Sequence, residues 1–174
     1  MAHFPTHGLF RRLEGGAAVA DNCRITGEVE LGQDATIWFG VVIRGDDALV
    51  SVGPRTNVQD LTMIHADPGV PNHIGSDVTI GHGCVLHGIR VGDRSLIGMK
   101  AVLLAGSEVG SDCIVAAGSV VKENFVVPDG HLVAGVPARI VRPLKEAEFE
   151  FLRYAAAGYV KKIPVYLPKQ PERS

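Results

Sequence analysis

Three histidines are the residues of this chain whose type and spacing could do chemistry together. His65, His82 and His87 are separated by 17 and 5 residues, and His65 and His87 each directly follow an aliphatic residue. Imidazole nitrogen is a preferred ligand of zinc and of the neighbouring transition metals. The sequence therefore predicts one metal site built from these side chains, provided that the fold brings them together.

The elements that must position the histidines follow a six-residue repeat. An aliphatic residue recurs every six positions and is often followed directly by glycine. Neither a helix, with 3.6 residues per turn, nor a simple strand, with a side-chain period of two, explains a period of six. Sixteen positions follow the repeat: Ile25, Leu31, Ile37, Ile43, Val52, Val58, Ile64, Ile74, Ile80, Leu86, Val91, Ile97, Leu103, Val109, Val115 and Val121.

A solenoid explains this period. If each hexad is a short strand and a turn, three hexads close one triangular coil, and the aliphatic side chains stack into an internal core. The 21 glycines, beside only 6% aromatic residues, fit a fold with many regularly placed turns. We expect an all-β parallel β-helix with the shape of a triangular prism.

Interruptions of the repeat predict where loops leave the prism. The next inward position follows nine residues after Ile43, ten after Ile64 and five after Leu86. The largest insertion, at 66–72, is rich in turn-forming residues. Because it directly follows His65, we expect it to project from a corner beside the histidines.

The C-terminal part of the chain predicts an α-helix. The repeat fades after Val121, and the segment from Pro143 begins with a helix-starting proline and continues with good helix formers. Phe151, Tyr154 and Ala155 would form the face of this helix that packs against the prism.

The length of the chain favours one domain. We expect a single domain over 1–174, divided into a β-helix at about 8–142, a C-terminal helix at about 143–160 and an extended or frayed tail at 161–174.

Counting hexads places two of the histidines side by side. Ile64 and Leu86 are one coil apart, so His65 and His87 should be stacked neighbours at a strand spacing of about 4.8 Å. One coil earlier, the same column contains Arg44. Both imidazoles could then reach one ion.

The third histidine belongs to a different column. Val58 and Ile80 are also one coil apart, and this second column carries Gln59, Asp60 and His82. Because the two columns lie on different faces or flank a corner, His82 should not reach the ion held by the first column. A neighbouring chain in a homotrimer could supply it.

The amino-acid composition limits which binding partners and which cellular compartment we expect for this protein. The formal charge of −2 and the lack of long basic runs exclude an electrostatic footprint for nucleic acid. No segment approaches the ~18 apolar residues that a membrane helix requires, so we expect no membrane association. Three cysteines in neither a metal-binding nor a disulfide pattern predict buried thiols in a reducing cytoplasm.

These motifs together resemble the γ-class carbonic anhydrase family, including its relatives from bacterial carnitine and phenylacetate operons. The resemblance covers about residues 8–145. The matching segments are Ile37-Trp-Phe-Gly-Val-Val-Ile-Arg-Gly-Asp46, Thr56-Asn-Val-Gln-Asp60, Met63-Ile-His65, Ile80-Gly-His-Gly-Cys-Val-Leu-His-Gly88 and Ala134-Gly-Val-Pro-Ala-Arg139.

The resemblance implies a left-handed β-helix and a metal at each trimer interface, Zn²⁺ or alternatively Fe²⁺ or Co²⁺. It implies that His65 and His87 come from one chain and His82 from the next. Carbon dioxide would be hydrated reversibly to bicarbonate by a metal-bound hydroxide.

The resemblance also implies roles for polar residues around the ion. Arg44 and Asp60 are expected to form a salt bridge between subunits, and Gln59, supported by Asp46, is expected to orient the solvent on the metal. Tyr159, just beyond the predicted helix, could turn towards the metal or simply pack as an aromatic residue.

One departure from the family concerns proton export. The best-known members carry acidic residues on an extra loop, which this chain lacks, and Asp47 and Asp67 are the possible substitutes. The alternatives that the residues leave open are an acyl-CoA thioester hydrolase using the same metal, an acyl-CoA-dependent transferase and a non-catalytic metal-bound subunit.

Overall fold

The computed structural model describes residues 5–168 of the 174-residue chain. Strands of two or three residues dominate, as expected for a hexad that contains one strand and one turn. The strands are β1 Phe10–Arg12, β2 Ala18–Ala20, β3 Arg24–Leu31, β4 Thr36–Ile37, β5 Val42–Val52, β6 Asn57–Val58, β7 Met63–His65, β8 Asn72–Ile74, β9 Thr79–Ile80, β10 Val85–Leu86, β11 Arg90–Val91, β12 Leu96–Ile97, β13 Val102–Leu103, β14 Glu108–Val109, β15 Ile114–Val115, β16 Val120–Val121, β17 Val126–Val127, β18 His131–Gly135 and β19 Ala138–Pro143.

The strands form the three faces of a parallel β-helix with six coils. The first face contains the start of β5 and then β7, β10, β13 and β16. The second contains the end of β5 and then β8, β11, β14 and β17, and the third contains β2, β4, β6, β9, β12, β15 and β18. The parallel β-helix with a C-terminal helix expected from the sequence is confirmed.

The hydrophobic core runs along the axis of the prism. Fourteen of the sixteen inward positions are buried, and the other two, Ile25 and Leu31, are partly buried and pack against the same core. The column also continues further than the sequence predicts, because Val127 and Val133 are buried in the same way. Each inward aliphatic side chain thus packs against the one above and below it, which stabilises the stack by about 1.5–3 kcal/mol per side chain.

Antiparallel strands extend the third face at both ends of the prism. β1 pairs with β2 at the N-terminal end, and β19 pairs with β18 at the C-terminal end. Parallel coils alone would leave unpaired backbone edges at each end, and such edges promote aggregation.

The insertion after Ile43 leaves the regular ladder of the prism, as expected, although its residues belong to one continuous strand, β5. β3 pairs with β5 as far as Gly27 and Gly45 and again from Val29 and Val50, so Glu28 alone lies opposite residues 46–49. The three extra residues therefore form a bulge between the first and second faces. The insertion at 66–72 does form a turn, closed by an isolated bridge between Asp67 and Val70.

The C-terminal helix differs from the prediction in its start and its buried face. Helix α1 spans Glu146–Val160, because Pro143 is the last residue of β19 and does not begin the helix. Its buried residues are Leu152 and Ala156, whereas Phe151 and Tyr154 are 56% and 77% exposed. From the sequence we predicted that the face with the larger aromatic side chains is buried. In the structure, the adjacent face of α1 packs against the prism instead.

The segment after α1 is described as far as Pro168. A second short helix, α2, spans Ile163–Tyr166, and Ile163 and Tyr166 pack with Phe10 and Trp38. The prediction of an extended or frayed tail is therefore wrong for 161–168, and its remainder lies outside the described residues. The larger apolar residues of this segment bury their side chains against the N-terminal coil.

The cysteines agree with the expectation from the sequence. Cys23, Cys84 and Cys113 are free and buried. Burial raises the pKa of Cys84 to about 11, so its thiol is protonated near neutral pH. No helix within residues 5–168 is long and apolar enough to span a bilayer.

Candidate metal centre

The candidate centre lies at the corner where the first face turns into the second. Ile64 pairs in register with Leu86, and Arg44 pairs with His65. The imidazoles of His65 and His87 consequently stack with 5.1 Å between ring centroids. The stacking predicted by counting hexads is confirmed, whereas metal binding by this pair stays a prediction.

His82 lies at another corner, as expected. It follows β9 on the third face, and its neighbour Gly81 accompanies Gln59 in the second column, since Val58 pairs with Ile80. Its side chain is 49% exposed, and its Nδ1 lies 2.8 Å from Asp60 Oδ2. Among residues 5–168, the group of three potential metal ligands with atoms within 4.8 Å of one another is Asp46, Asp47 and His65, which includes neither His82 nor His87. One chain therefore stacks the rings of His65 and His87 but leaves His82 at a separate corner.

Carboxylates approach both stacked histidines. His65 Nε2 lies 3.2 Å from Asp47 Oδ2, and His87 Nε2 lies 3.0 Å from Asp67 Oδ1. Asp47 is in β5 and Asp67 is in the turn after β7, so two separate interruptions of the repeat place acids at one corner. From the sequence we considered both residues as substitutes for an acidic loop. Nothing in the sequence indicated that they would contact the ring nitrogens.

The chemistry of His87 Nε2 suits a metal ion. This atom is buried and has no hydrogen-bond partner in the described chain, although Asp67 Oδ1 lies 3.0 Å away. A buried nitrogen without a partner is energetically unfavourable, and coordination to a cation would satisfy it. A cavity of about 300 Å³ adjoins both rings, and Arg44, Met63 and Val85 contribute to its walls.

Arg44 and Asp46 form a pair within the chain. Arg44 Nη1 donates to both carboxylate oxygens of Asp46 at 2.7 Å and lies 3.7 Å from Asp47. The hydrogen bond from Arg44 is the main reason that the pKa of Asp46 is lowered. Arg44 does not contact Asp60 within residues 5–168 of a single chain, so the expected bridge between them stays a prediction about neighbouring subunits.

The amide of Gln59 is fixed by residues that the sequence analysis did not identify. Gln59 Nε2 donates to Asn57 Oδ1 at 3.0 Å, and Asn57 Nδ2 donates to Thr79 Oγ1 at 2.9 Å. Asn57 and Thr79 each directly precede an inward residue on the third face, and this shared position was the signal that could have revealed them. Asp46 does not contact Gln59 in the described part of the chain, so its supporting role is likewise untested.

Tyr159 packs and also borders the second column. Its ring lies edge-on to Trp38 at 5.4 Å, and Lys162 Nζ lies 4.5 Å above it. Burial, and then the charge of Asp60, raise the pKa of its hydroxyl. Packing is thus established for this residue, which lines the same groove as Gln59 and His82.

Comparison with known proteins identifies the family. The model of the bacterial transferase hexapeptide, described as six repeats, matches residues 88–123. A carbonic anhydrase of Geobacillus kaustophilus is 36% identical over 98% of this chain and 94% of its own length. The chain belongs to the γ-class carbonic anhydrase family.

Other relatives of this γ-class chain differ in length and in name. The mitochondrial γ carbonic anhydrase 2 of Arabidopsis thaliana is 39% identical over 82% of the chain, which spans only 53% of that relative. A crystal structure from Bacillus cereus, described as a putative acetyltransferase, is 35% identical with a TM-score of 0.85 and covers 89% of this chain and 90% of its own. The γ-class fold is thus shared with proteins that carry a transferase name.

Proposed function

We propose that this protein is a metal-dependent γ-class carbonic anhydrase that hydrates carbon dioxide reversibly to bicarbonate. The observation that carries the proposal is the stacked pair of His65 and His87, whose side chains line one cavity at a corner of the prism. Relatives named carbonic anhydrase and probable carbonic anhydrase, which match over 98% and 82% of the chain, support the same activity.

The third ligand in this proposal is His82 of a neighbouring subunit. The half-exposed imidazole of His82 and the pair of His65 and His87 flank the two edges of the first face. Three prisms whose first faces surround a threefold axis would bring one edge of each against the other edge of the next. The outward side chains on that face are apolar and aligned in register, as an interface requires: Val42, Met63, Val85, Val102 and Val120.

The residues would hold Zn²⁺, or Fe²⁺ or Co²⁺, through three imidazole nitrogens. When bound, the ion supplies Lewis acidity that makes water a nucleophile near neutral pH. Gln59, held by Asn57, keeps a second amide hydrogen and its carbonyl oxygen available to orient the reactants.

Arg44 is proposed to leave Asp46 and bind Asp60 of the neighbouring subunit. Asp46, in turn, is proposed to support the amide of Gln59 across the same interface. Free, buried cysteines favour a reducing compartment, and the cytoplasm is our prediction for the location. We also propose that residues 1–174 form a single domain.

The decisive experiment combines elemental analysis with stopped-flow hydration of carbon dioxide on protein prepared anaerobically with zinc or iron. We expect about one ion per chain and hydration that depends on it. A trimer that binds metal but does not accelerate hydration would contradict the enzymatic proposal and favour a non-catalytic subunit.

A second candidate function is chemistry on acyl-CoA. The transferase name of the Bacillus cereus structure favours acyl transfer, and a thioester hydrolase could use the same metal. The transferase is less well supported, because the described chain has only a short turn at 66–72 where such enzymes carry a long excursion loop. Release of free CoA from acetyl-CoA, with and without an amine acceptor, distinguishes both from hydration.

A further inference from the structure

A groove of about 560 Å³ runs between helix α1 and the third face of the prism. Its floor is made by Leu96 and Ile114, which are successive outward positions in register. Phe151 and Ala155 of α1 form the opposite wall, and Met99 lines its rim. Phe151 and Met99 are each 56% exposed, so both present apolar surface without a partner in the described chain.

One end of the groove is polar. Gln59, His82 and Tyr159 line that end together with Thr79. These side chains supply an amide, an imidazole and a phenol, and everything beyond them is apolar. A concave apolar site with a few convergent polar groups is the usual form of a small-molecule pocket.

Carbon dioxide does not require this space. It has three atoms and no apolar tail, whereas the groove extends across three strands of the third face, β9, β12 and β15. At a strand spacing of about 4.8 Å, this is a length of about 10 Å. A short aliphatic chain or a single aromatic ring has that reach.

The side chains that line the polar end favour a neutral head group. Asp60 Oδ2 lies 2.8 Å from His82 Nδ1, and Lys162 Nζ lies 4.5 Å from the centroid of the Tyr159 ring, but neither Asp60 nor Lys162 lines the groove. The lining of this end therefore contains no carboxylate and no ammonium group to pair with a charged ligand. A neutral carbonyl oxygen can accept a hydrogen bond from the second amide hydrogen of Gln59 or from the hydroxyl of Tyr159.

We propose that this groove binds a neutral carbonyl compound carrying a short apolar tail, with the carbonyl at Gln59 and the tail between Leu96 and α1. The inference rests on the proposed function for the position of the reacting centre and extends its substrate class beyond carbon dioxide. Met99 and Phe151 would close over the tail, because a flexible thioether and an exposed ring adapt easily to different shapes.

The test is a calorimetric titration of the full-length, metal-loaded protein with straight-chain methyl ketones, from acetone to methyl heptyl ketone. Ketones are neutral and are not hydrolysed, so the assay measures binding without turnover. We expect the Kd to fall about fourfold for each added methylene until the groove is full. If the Kd does not depend on chain length, the proposal is overturned. A groove filled by a neighbouring subunit would give the same constant Kd and would overturn it as well.

Substitutions on one helix provide the matched control. Ala155→Phe fills the groove from α1, and Ala155→Leu fills it partly, whereas Ala157→Phe makes the same change at an exposed position of the helix that does not line the groove. We expect the gain with chain length to disappear in A155F, to shrink in A155L and to persist in A157F. Wild-type behaviour of both Ala155 variants would contradict the proposal.

Carbon dioxide hydration, measured on the same samples, separates the two proposals. Chain-length-dependent binding without any hydration would contradict the proposed function and support the groove. Hydration without chain-length-dependent binding would overturn the groove alone.

Discussion

Two corners of the prism use the same geometry for different purposes. At the corner between the second and third faces, charged residues stack as Asp34, Arg55, Asp77, Arg94 and Asp112, and each pair joins side chains one coil apart. At the corner between the first and second faces, His65 and His87 stack one coil apart in the same way.

The two corners differ in how completely their polar atoms are satisfied. Arg55 binds both oxygens of Asp77, at 2.7 and 2.5 Å, and Arg94 binds both oxygens of Asp112, at 2.7 and 2.6 Å. At the histidine corner, His87 Nε2 is buried without a hydrogen bond. A stacked column closed by its own ion pairs stabilises the fold, whereas a column with an unsatisfied nitrogen indicates a site for something else.

The backbone conformation also differs between the two corners. All five residues of the charged column have φ between 54° and 58°, in the left-handed region that most residues avoid. Their carboxylates and guanidinium groups compensate for that conformation by pairing. At the histidine corner, the chain instead uses the turn at 66–72 and a shortened corner after Leu86, which places Asp67 against His87.

Among substitutions at the two corners, loss of a metal ligand should have the largest effect, and the affected property is metal binding. His82→Ala and His87→Ala should each reduce bound metal to near zero, because every site loses one of three ligands. Elemental analysis of the purified variants measures this. His73→Ala, which removes an imidazole bonded to Ser51 on the second face, is the matched control and should keep its metal. Full occupancy in H82A would contradict the site shared between subunits.

Arg44→Ala should weaken the trimer. If Arg44 bridges to a neighbouring Asp60, its removal leaves that carboxylate unpaired at the interface, and the dissociation constant should rise about tenfold or more. Sedimentation at low protein concentration measures the change. Arg12→Ala breaks the comparable contact with Asp34 at the other corner and should leave assembly unaffected. Identical profiles for R44A and the wild type would exclude the bridge.

Arg94→Ala should destabilise the fold by only about 1 kcal/mol, because the pair with Asp112 is partly exposed and screened by solvent. Urea unfolding measures the difference, which should shrink at high salt while metal content stays unchanged. Arg94→Gly should be less harmful than Arg94→Ala by about 1 kcal/mol, since glycine accepts φ 55° without strain. Equal stabilities of the two variants would argue against backbone strain at this corner.

Glu148→Gln should have the smallest effect, and it should depend on pH. Arg142 donates to both oxygens of Glu148 and, with the Lys145 backbone N–H, lowers the pKa of this carboxyl to about 2. A lowered folded-state pKa stabilises the protein above the unfolded value of about 4.3 and ceases to do so as the pH falls towards 2. Thermal melts should therefore show E148Q slightly less stable at neutral pH, with the difference disappearing between about pH 4 and 2. A constant difference across that range would contradict the linkage.

The fold and the stacked histidine pair followed from the sequence because a β-helix converts sequence distance directly into position. The inward residues repeat every six positions, so Ile64 and Leu86 had to be neighbours, and His65 and His87 with them. The same counting placed Gln59 and Asp60 beside His82. It also located the insertion within β5, where residues 46–49 bulge opposite Glu28.

Contacts outside the repeat were decided by tertiary structure alone. The period says nothing about which face of α1 packs on the prism, and the structure buries Leu152 and Ala156 and leaves Phe151 beside the groove. It also could not predict that Asp47 and Asp67 approach the ring nitrogens, since both lie where the repeat is interrupted. Hydrophobic stacking at a fixed period is a local rule that the sequence determines by itself, whereas the meeting of irregular segments depends on how the whole prism closes.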